Sequence, residues 1–253
     1  MGYSGSYPVS KFNIADKLFG DVKLDLFAFS ALKPRDSKTS TTPAIAFTLR
    51  VKNPTRKFVQ ISFMLNLPLG SQPDTARLGK AYKSFKSPNV TQCAEACIGD
   101  QKCMSWQMER RNKTCLLFSQ VPPHAWHPGS TSGQKGTWTA HDSMLTLNRP
   151  GNYPQSGNTT IASDKEANPS FMVSDTFEQI WKQFDEYGYL LSSSKSFGNG
   201  FHGAAAVNRT VGPGEEKALT MVSGWFYPNR DFTGMRQFLQ LILCKLCDNF
   251  IAS

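Results

Sequence analysis

Acidic residues are scarce in this chain. Its 19 Asp and Glu stand against 28 Lys and Arg, a formal charge of +9. A basic excess of that size suits nucleic acid or an anionic surface only where the charges cluster. Here Lys80, Lys83 and Lys86 are spaced out and Arg110-Arg111 is only a pair. No zinc-finger, RRM or helix-turn-helix pattern accompanies them, so no nucleic-acid partner is expected. Long apolar runs are missing too. None reaches the ~18 residues a membrane helix needs, so no membrane span is expected. Histidine is rare, with 4 in the chain. His124 and His127 lie close together in what reads as a Pro-rich loop but have no third ligand beside them, which argues against a metal site. No metal or cofactor is expected. The opening Met1-Gly-Tyr-Ser-Gly5 has neither the basic nor the apolar region of a signal peptide. Internal repeats and low-complexity tracts are absent as well.

What the chain has is aromatic and β-branched sequence in short runs. Hydrophobic residues make up 40% and aromatics 12% of 253 residues, enough for a sizeable core. Val22-Lys-Leu-Asp-Leu-Phe-Ala28 alternates apolar and polar residues, the mark of a half-buried strand. After breaks around Pro34 and Pro43, Ile45, Phe47, Leu49 and Val51 share one face of a second strand. Asn53-Pro54-Thr55 makes a turn. Val59, Ile61, Phe63, Leu65 and Leu67 line a third strand, and the short turn predicts a hairpin between the two. The strand pattern stops near Leu78 and returns with Met144-Leu-Thr-Leu147, a polar turn at Pro150-Gly151-Asn152, and Thr159 to Ala162. Ala204 to Thr210 and Ala218 to Tyr227 read as two more strands, separated by the turn Val211-Gly-Pro-Gly-Glu215.

One helix stands out. Ser174 or Asp175 can cap it, and Phe177, Ile180, Trp181 and Phe184 repeat at helical spacing as a core-packing face. Gly188 is a natural stop. The expected fold is therefore mainly β, a β-sandwich with one helix. From Met235 onward a short apolar run carries Cys244 and Cys247, but that CxxC lacks the second pair a zinc site needs.

Four of the six cysteines lie between Leu78 and Trp138. Cys93 and Cys97 fall on one face of a short helix that Asn89 can cap, Gln92 can complete as a capping box and Gly99 can end. Cys103 and Cys115 follow in strand-like contexts. Four cysteines allow three pairings, and their spacing does not form two metal-binding knuckles. The stretches Cys93-Ala-Glu-Ala-Cys97, Cys103-Met-Ser-Trp106 and Cys115-Leu-Leu-Phe118 resemble the PAN/apple family. That resemblance implies nested bridges, Cys93 with Cys115 and Cys97 with Cys103, in a small disulfide-stapled α+β module interrupting the sandwich. It also implies binding of a protein or carbohydrate rather than catalysis. Lys83, Lys86, Arg110 and Arg111 offer contacts for an anionic partner, although a solvated rim explains them more simply. Asn89, Asn112, Asn158 and Asn208 head glycosylation sequons, whereas Pro54 excludes Asn53. With paired cysteines they favour a secretory or extracellular glycoprotein, its signal lying upstream.

Three other stretches resemble the N-terminal domain of glycoside hydrolase family 116, the non-lysosomal glucosylceramidase type. They are Gly5 to Phe12 with Phe29-Ser-Ala-Leu-Lys-Pro-Arg-Asp36, Val59 through Pro68, and Ala204 to Gly234 with Gly224-Trp-Phe-Tyr-Pro-Asn-Arg-Asp231. The resemblance implies a division into 1–78 and 140–234 as two parts of one sandwich, 79–139 as the apple-like insertion and 235–253 as an atypical tail. It implies a parent glucosylceramidase or β-glucosidase of carbohydrate and sphingolipid metabolism, whose carboxylate pair belongs to a C-terminal (α/α)6 catalytic domain beyond Gly234. No catalytic residue is then expected in this chain, and the Trp225 to Phe232 region should be an interface for that missing domain. Asp36, Asp164, Asp185, Glu186 and Asp231 are the acids available for a pair, but turn caps and solvated helix faces account for them. The competing readings are a free-standing adhesion or carbohydrate-binding protein and a truncated product with no function of its own.

Overall fold

The alternating runs become strands wherever one of their faces can be buried. The computed structural model describes residues 2–6, 8–31, 35–36, 42–69, 71–149, 157–191 and 196–227. The first strands are β1 (Gly2–Ser6), β2 (Val9–Ile14), β3 (Lys23–Ser30), β4 (Ala44–Lys52) and β5 (Val59–Pro68). Next come β6 (Gln72–Arg77), β7 (Lys83–Lys86), helix α1 (Val90–Ile98), β8 (Ser105–Glu109), β9 (Thr114–Phe118) and β10 (His124–Gln134). Then follow β11 (Gly136–His141), β12 (Met144–Arg149), β13 (Gly157–Ser163) and β14 (Ser170–Ser174). The described chain finishes with helix α2 (Phe177–Tyr187), β15 (Ser196–Gly200), β16 (His202–Val211) and β17 (Glu216–Phe226).

These strands form three antiparallel sheets. A nine-stranded sheet runs β1-β2-β3-β4-β17-β13-β12-β11-β15, and a three-stranded sheet runs β14-β16-β5. Between them lies the main core, with Leu24, Leu49, Val51, Trp138, Leu145, Ile161, Val207 and Leu219 all buried. The fold is a β-sandwich. Trp138 is its largest fully buried side chain, and its Nε1 donates to Gly200 O at 3.0 Å, so the one polar atom of the ring is satisfied. The ring lies where a side chain at residue 203 would be: a Cβ on Gly203 would come within 2.3 Å of it. Polar residues alternate outward, and Thr48 pairs with Thr220, and Thr146 with Thr160, each at 3.0 Å across neighbouring strands.

The expected hairpin between the second and third strands does not form. Both edges of β4 are taken, by β3 and β17, so the chain leaves that sheet at Asn53 and enters the other as β5, which pairs with β16. The turn is a corner between sheets. The β16–β17 connection makes the reverse crossing beside it.

Helix α2 forms a third layer. Ile180 is buried against Ala204 and Ala206 of β16, with Met64, Met172 and Phe184 packed around them. Strand β16 is covered on both faces, which explains its run of small, buried alanines at 204–206. Thr176 is the N-cap residue and makes no side-chain cap bond; the hydroxyl of Ser174 instead accepts from Thr176 N at 3.2 Å. Gly188 ends the helix in the left-handed region, as the sequence predicts. The aromatic face is only partly core: Phe177 and Trp181 are 40% and 49% exposed. Three strands are too narrow to bury the whole helix stripe.

The five-stranded sheet, β6-β10-β8-β9-β7, is separate from the sandwich. Its strands span Gln72 to Gln134, so β6 lies before the expected start at 79, while β11 pairs with β12 in the large sheet. Helix α1 covers one face through Cys93 and Cys97, over a core containing Trp106, Met108 and Leu117. Asn89 caps α1, accepting from Gln92 N at 2.9 Å. Cys93 is bridged to Cys115 with Cα atoms 5.5 Å apart, and Cys97 to Cys103 at 5.2 Å.

Candidate functional site

An apolar concavity follows from the mismatch between nine strands and three. Strand β5 is the outer strand of the small sheet, and among the described residues no strand pairs with its free side. Beyond it the inner faces of β2 and β3 are only partly covered: Leu24 is buried, whereas Ile14 and Leu26 are half-buried. The result is a groove of about 570 Å³ lined by Leu24 and Leu26 of β3, Ile61 and Met64 of β5, and Trp181 and Phe184 of α2. Lining residues come from both faces of β5, so the groove wraps around its edge. A short 3-10 turn at Lys17–Phe19 closes one side, and its Leu18 is 89% exposed. Nothing among the lining residues is charged. Such a surface can exclude water and hold an apolar partner, but it offers no acid or base.

The acids named from the sequence do not gather there. Asp164 caps the short helical turn after β13, accepting from Glu166 N at 3.1 Å, and pairs with Arg209 at 3.0 Å. Asp185 and Glu186 lie on the exposed side of α2, and Asp36 in the loop before β4. Asp231 lies outside the described residues. His124 and His127 lie on strand β10 rather than in a loop, because Pro122 and Pro123 precede the strand instead of breaking it. Burial, then the nearby Arg77, lowers the His124 pKa, while His127 Nδ1 lies 3.0 Å from Ser130 Oγ. Among the described residues no group of three His, Cys, Asp or Glu could hold a metal ion.

On the disulfide-bridged sheet, Lys86 Nζ donates to Asn112 O at 2.8 Å, Lys83 lies over the Phe85 ring, and Arg110 pairs with Asp74. Arg111 is exposed in the β8–β9 turn. Tyr82 donates to Asp100 Oδ2 at 2.8 Å; burial, reinforced by that bond, pushes its pKa up to about 12. The same bond is the main cause holding Asp100 below the usual carboxylate value. Asn89, Asn112 and Asn158 are exposed, whereas Asn208, within β16, is half-buried. At the end of β17, Phe226 is 64% exposed and Tyr227 OH lies 2.9 Å from Thr159 Oγ1. The remainder of the expected interface, 228–232, lies outside the described residues, as do Cys244 and Cys247.

Comparison with known proteins decides the family. The model of the family described as "beta-glucosidase 2, glycosyl-hydrolase family 116 N-term" matches residues 1–241. The chain belongs to this family. It is also 40% identical over 40 residues to an uncharacterised protein of Acanthamoeba polyphaga mimivirus, a match spanning 16% of this chain and 12% of that protein. Among solved structures it is similar to the α-galactosidase of Lactobacillus brevis (10% identity, TM-score 0.32), over 87% of this chain and 23% of that one. It is similar too to a galactose mutarotase-like protein of Lactobacillus casei (8% identity, TM-score 0.36), over 89% and 72% of the two chains. At such distances these likenesses say nothing about chemistry.

As an N-terminal portion of a family 116 glycosyl hydrolase, the chain carries a site that sequence reading missed. The groove draws on β2, the 3-10 turn, β3, β4, β5 and α2, so no local motif marks it. One signal was present: Val59 to Pro68 contains no charged residue, unusual for a strand with a free edge.

Proposed function

We propose that this chain is the non-catalytic N-terminal portion of a glucosylceramidase- or β-glucosidase-like hydrolase, and that it buttresses a C-terminal (α/α)6 catalytic domain lying outside it. The observation that carries the proposal is the free edge of β5. A ten-residue edge strand with no charge, bordered by an apolar groove, would template aggregation unless something covers it. A second domain of the same enzyme is the simplest cover. Phe226 at the end of β17 is a further exposed apolar residue.

Within this reading, one sandwich is interrupted by a PAN/apple-type insertion, expected at 79–139 and carried by the five-stranded sheet of 72–134, that binds a protein or carbohydrate, and 235–253 is a separate tail. The exposed sequons at Asn89, Asn112 and Asn158 and the two bridges support a secretory glycoprotein, with half-buried Asn208 the least accessible acceptor. A retaining glycosidase needs two carboxyl groups about 5–5.5 Å apart at a sugar-sized pocket. The carboxylates of Asp164 and Asp74 are instead engaged by arginines. The test is purified chain with an aryl β-glucoside, alone and with the helical domain added. No turnover alone and turnover on addition are expected. Turnover by the chain alone, abolished by replacing a single Asp or Glu, would overturn the proposal.

A further inference from the structure

Strand β10 carries an indole that the sandwich and the module core leave in solvent. Trp126 is 79% exposed, whereas Trp106 and Trp138 are buried in their respective cores. It pairs with Thr75 of β6 at the point where the β6–β10 register breaks between Trp126 and Thr131. The intervening residues, 127–130, form a bulge or irregularity of the strand, a device that re-aims side chains and recurs beside functional sites. The bulge is held firmly. Arg110 N donates to Gly129 O at 2.8 Å, Gly129 N donates to Asp74 Oδ1 at 3.4 Å, and the Arg110 guanidinium pairs with the same carboxylate. Asp74 adopts a left-handed backbone, φ 50°, a region in which Asp and Asn are favoured among non-glycine residues. Its carboxylate and the guanidinium remain about half exposed.

We propose that Trp126, with Asp74, Arg110 and His127 beside it, is a stacking platform for a neutral oligosaccharide. A flat, exposed indole on a fixed strand accepts the C–H face of a pyranose, and the neighbouring carboxylate and guanidinium match ring hydroxyls as acceptor and donors. A protein-binding hot spot would place Trp126 within a wider apolar patch. Its partner in the register, Thr75, is polar instead, and Asp74 and His127 follow that pair along the two strands. A nucleic-acid base would need free positive charge for its phosphates, and Arg110 is committed to Asp74. The proposal rests on the reading of the disulfide-bridged sheet as a recognition module.

The test uses the whole chain and its five tryptophan indole N–H signals, that of Trp126 assigned by its loss in Trp126→Phe. Cellohexaose, mannohexaose and chitohexaose are titrated separately, with a heparin hexasaccharide and the added catalytic domain as contrasts. A saturable shift of the Trp126 signal by at least one neutral sugar is expected. Trp126→Ala, an exposed change that spares the fold, should weaken that binding by roughly tenfold or more. Asp74→Asn, which tolerates the same backbone, should weaken it less. Binding that survives Trp126→Ala would overturn the assignment to Trp126 while leaving the module a recognition element. A folded chain that answers no sugar would overturn both, and so would a Trp126 signal moved only by the catalytic domain. Response to heparin alone would replace the neutral sugar by an anionic one and overturn the proposal.

Discussion

Asn53 and Val211, 158 residues apart in sequence, are joined by a buried hydrogen bond of 3.0 Å from Asn53 Nδ2 to Val211 O. The same amide group donates to Gly212 O at 3.0 Å and Lys57 O at 2.7 Å, while Oδ1 accepts from Thr55 N and its hydroxyl. Asn53 N donates to Glu215 O and Asn53 O accepts from Gly214 N. One side chain thus ties together the two corners where the chain changes sheets. Asn53→Ala would leave several buried carbonyls without donors, costing about 1–3 kcal/mol for each group stranded. In a domain of this size that lowers the melting temperature by roughly 5–10 °C. Circular dichroism melts would check it, and an unchanged midpoint would show that the corners hold without Asn53.

A second buried bond lies where the five-stranded sheet passes into the sandwich. Lys135, between β10 and β11, is 6% exposed, and its ammonium pairs with Asp175 Oδ2 at 3.0 Å above the Phe201 ring. The two ends of the pair are unequal, because Asp175 is 28% exposed. Removing the carboxylate strands a buried cation, whereas removing the cation leaves a carboxylate that is partly exposed as a whole, although its Oδ1 is buried. Asp175→Ala should therefore cost about 3 kcal/mol and Lys135→Met, which keeps the packed stem, about 1 kcal/mol. Urea unfolding of both variants tests the order; Lys135→Met as the more damaging change would refute it.

The difference between what the sequence discloses and what it hides lies in the range of the interactions. Leu24, Leu49 and Val51 were legible as core because alternation is local, and the sheet buries them as the pattern requires. The cap at Asn89 and the stop at Gly188 were legible for the same reason. The partner of β5 was not, because whether Asn53-Pro54 closes a hairpin or turns a corner depends on which edges of β4 are already taken by β3 and β17. Trp181 misled for a related reason: helical spacing identifies an apolar stripe but not the width of the sheet beneath it. The groove was invisible because it exists only between layers.

Acid should loosen the fold in two steps. Burial, outweighing the pull of Asp175, holds His202 below the ordinary histidine value of 6.5, and burial with Arg77 does the same for His124. The unfolded chain then binds these protons more readily, so stability falls as pH drops below about 6.5 through the lower folded values. Asp100, bonded by Tyr82, and Glu215, bonded by Gly212 N, are shifted down. Their contribution is present above their unfolded values of 3.8 and 4.5 and is lost as pH falls further. Urea midpoints should decline between pH 7 and 5, and His202→Gln should flatten that decline. Equal midpoints across this range in the native chain would contradict the sign.

The two bridges should contribute unequally. Cys93–Cys115 closes a separation of 22 residues and Cys97–Cys103 one of 6. The chain-entropy relation gives about 3 kcal/mol for the longer loop and about 2 kcal/mol for the shorter. Replacing Cys93 and Cys115 by serine should unfold the five-stranded sheet around Trp106 first, leaving the Trp138 core folded. Indole N–H exchange reads the two separately, and simultaneous loss of protection at both would show that the sheets fold as one unit.

The edge of β5 supplies the last prediction. Gln60 is exposed on this strand and lines the groove, and no charge interrupts the edge from Val59 to Pro68. Lysine on an edge is a common means by which proteins prevent strand pairing between molecules. Gln60→Lys should therefore reduce concentration-dependent aggregation of the isolated chain without lowering its melting temperature, since position 60 points away from the main core. If the same edge is where a catalytic domain docks, the charge that helps the isolated chain should weaken that complex. Light scattering of the chain alone and sedimentation of the mixed domains measure the two effects. Unchanged aggregation would mean that the edge is not the exposed liability, and better solubility with undiminished assembly would place the docking surface elsewhere.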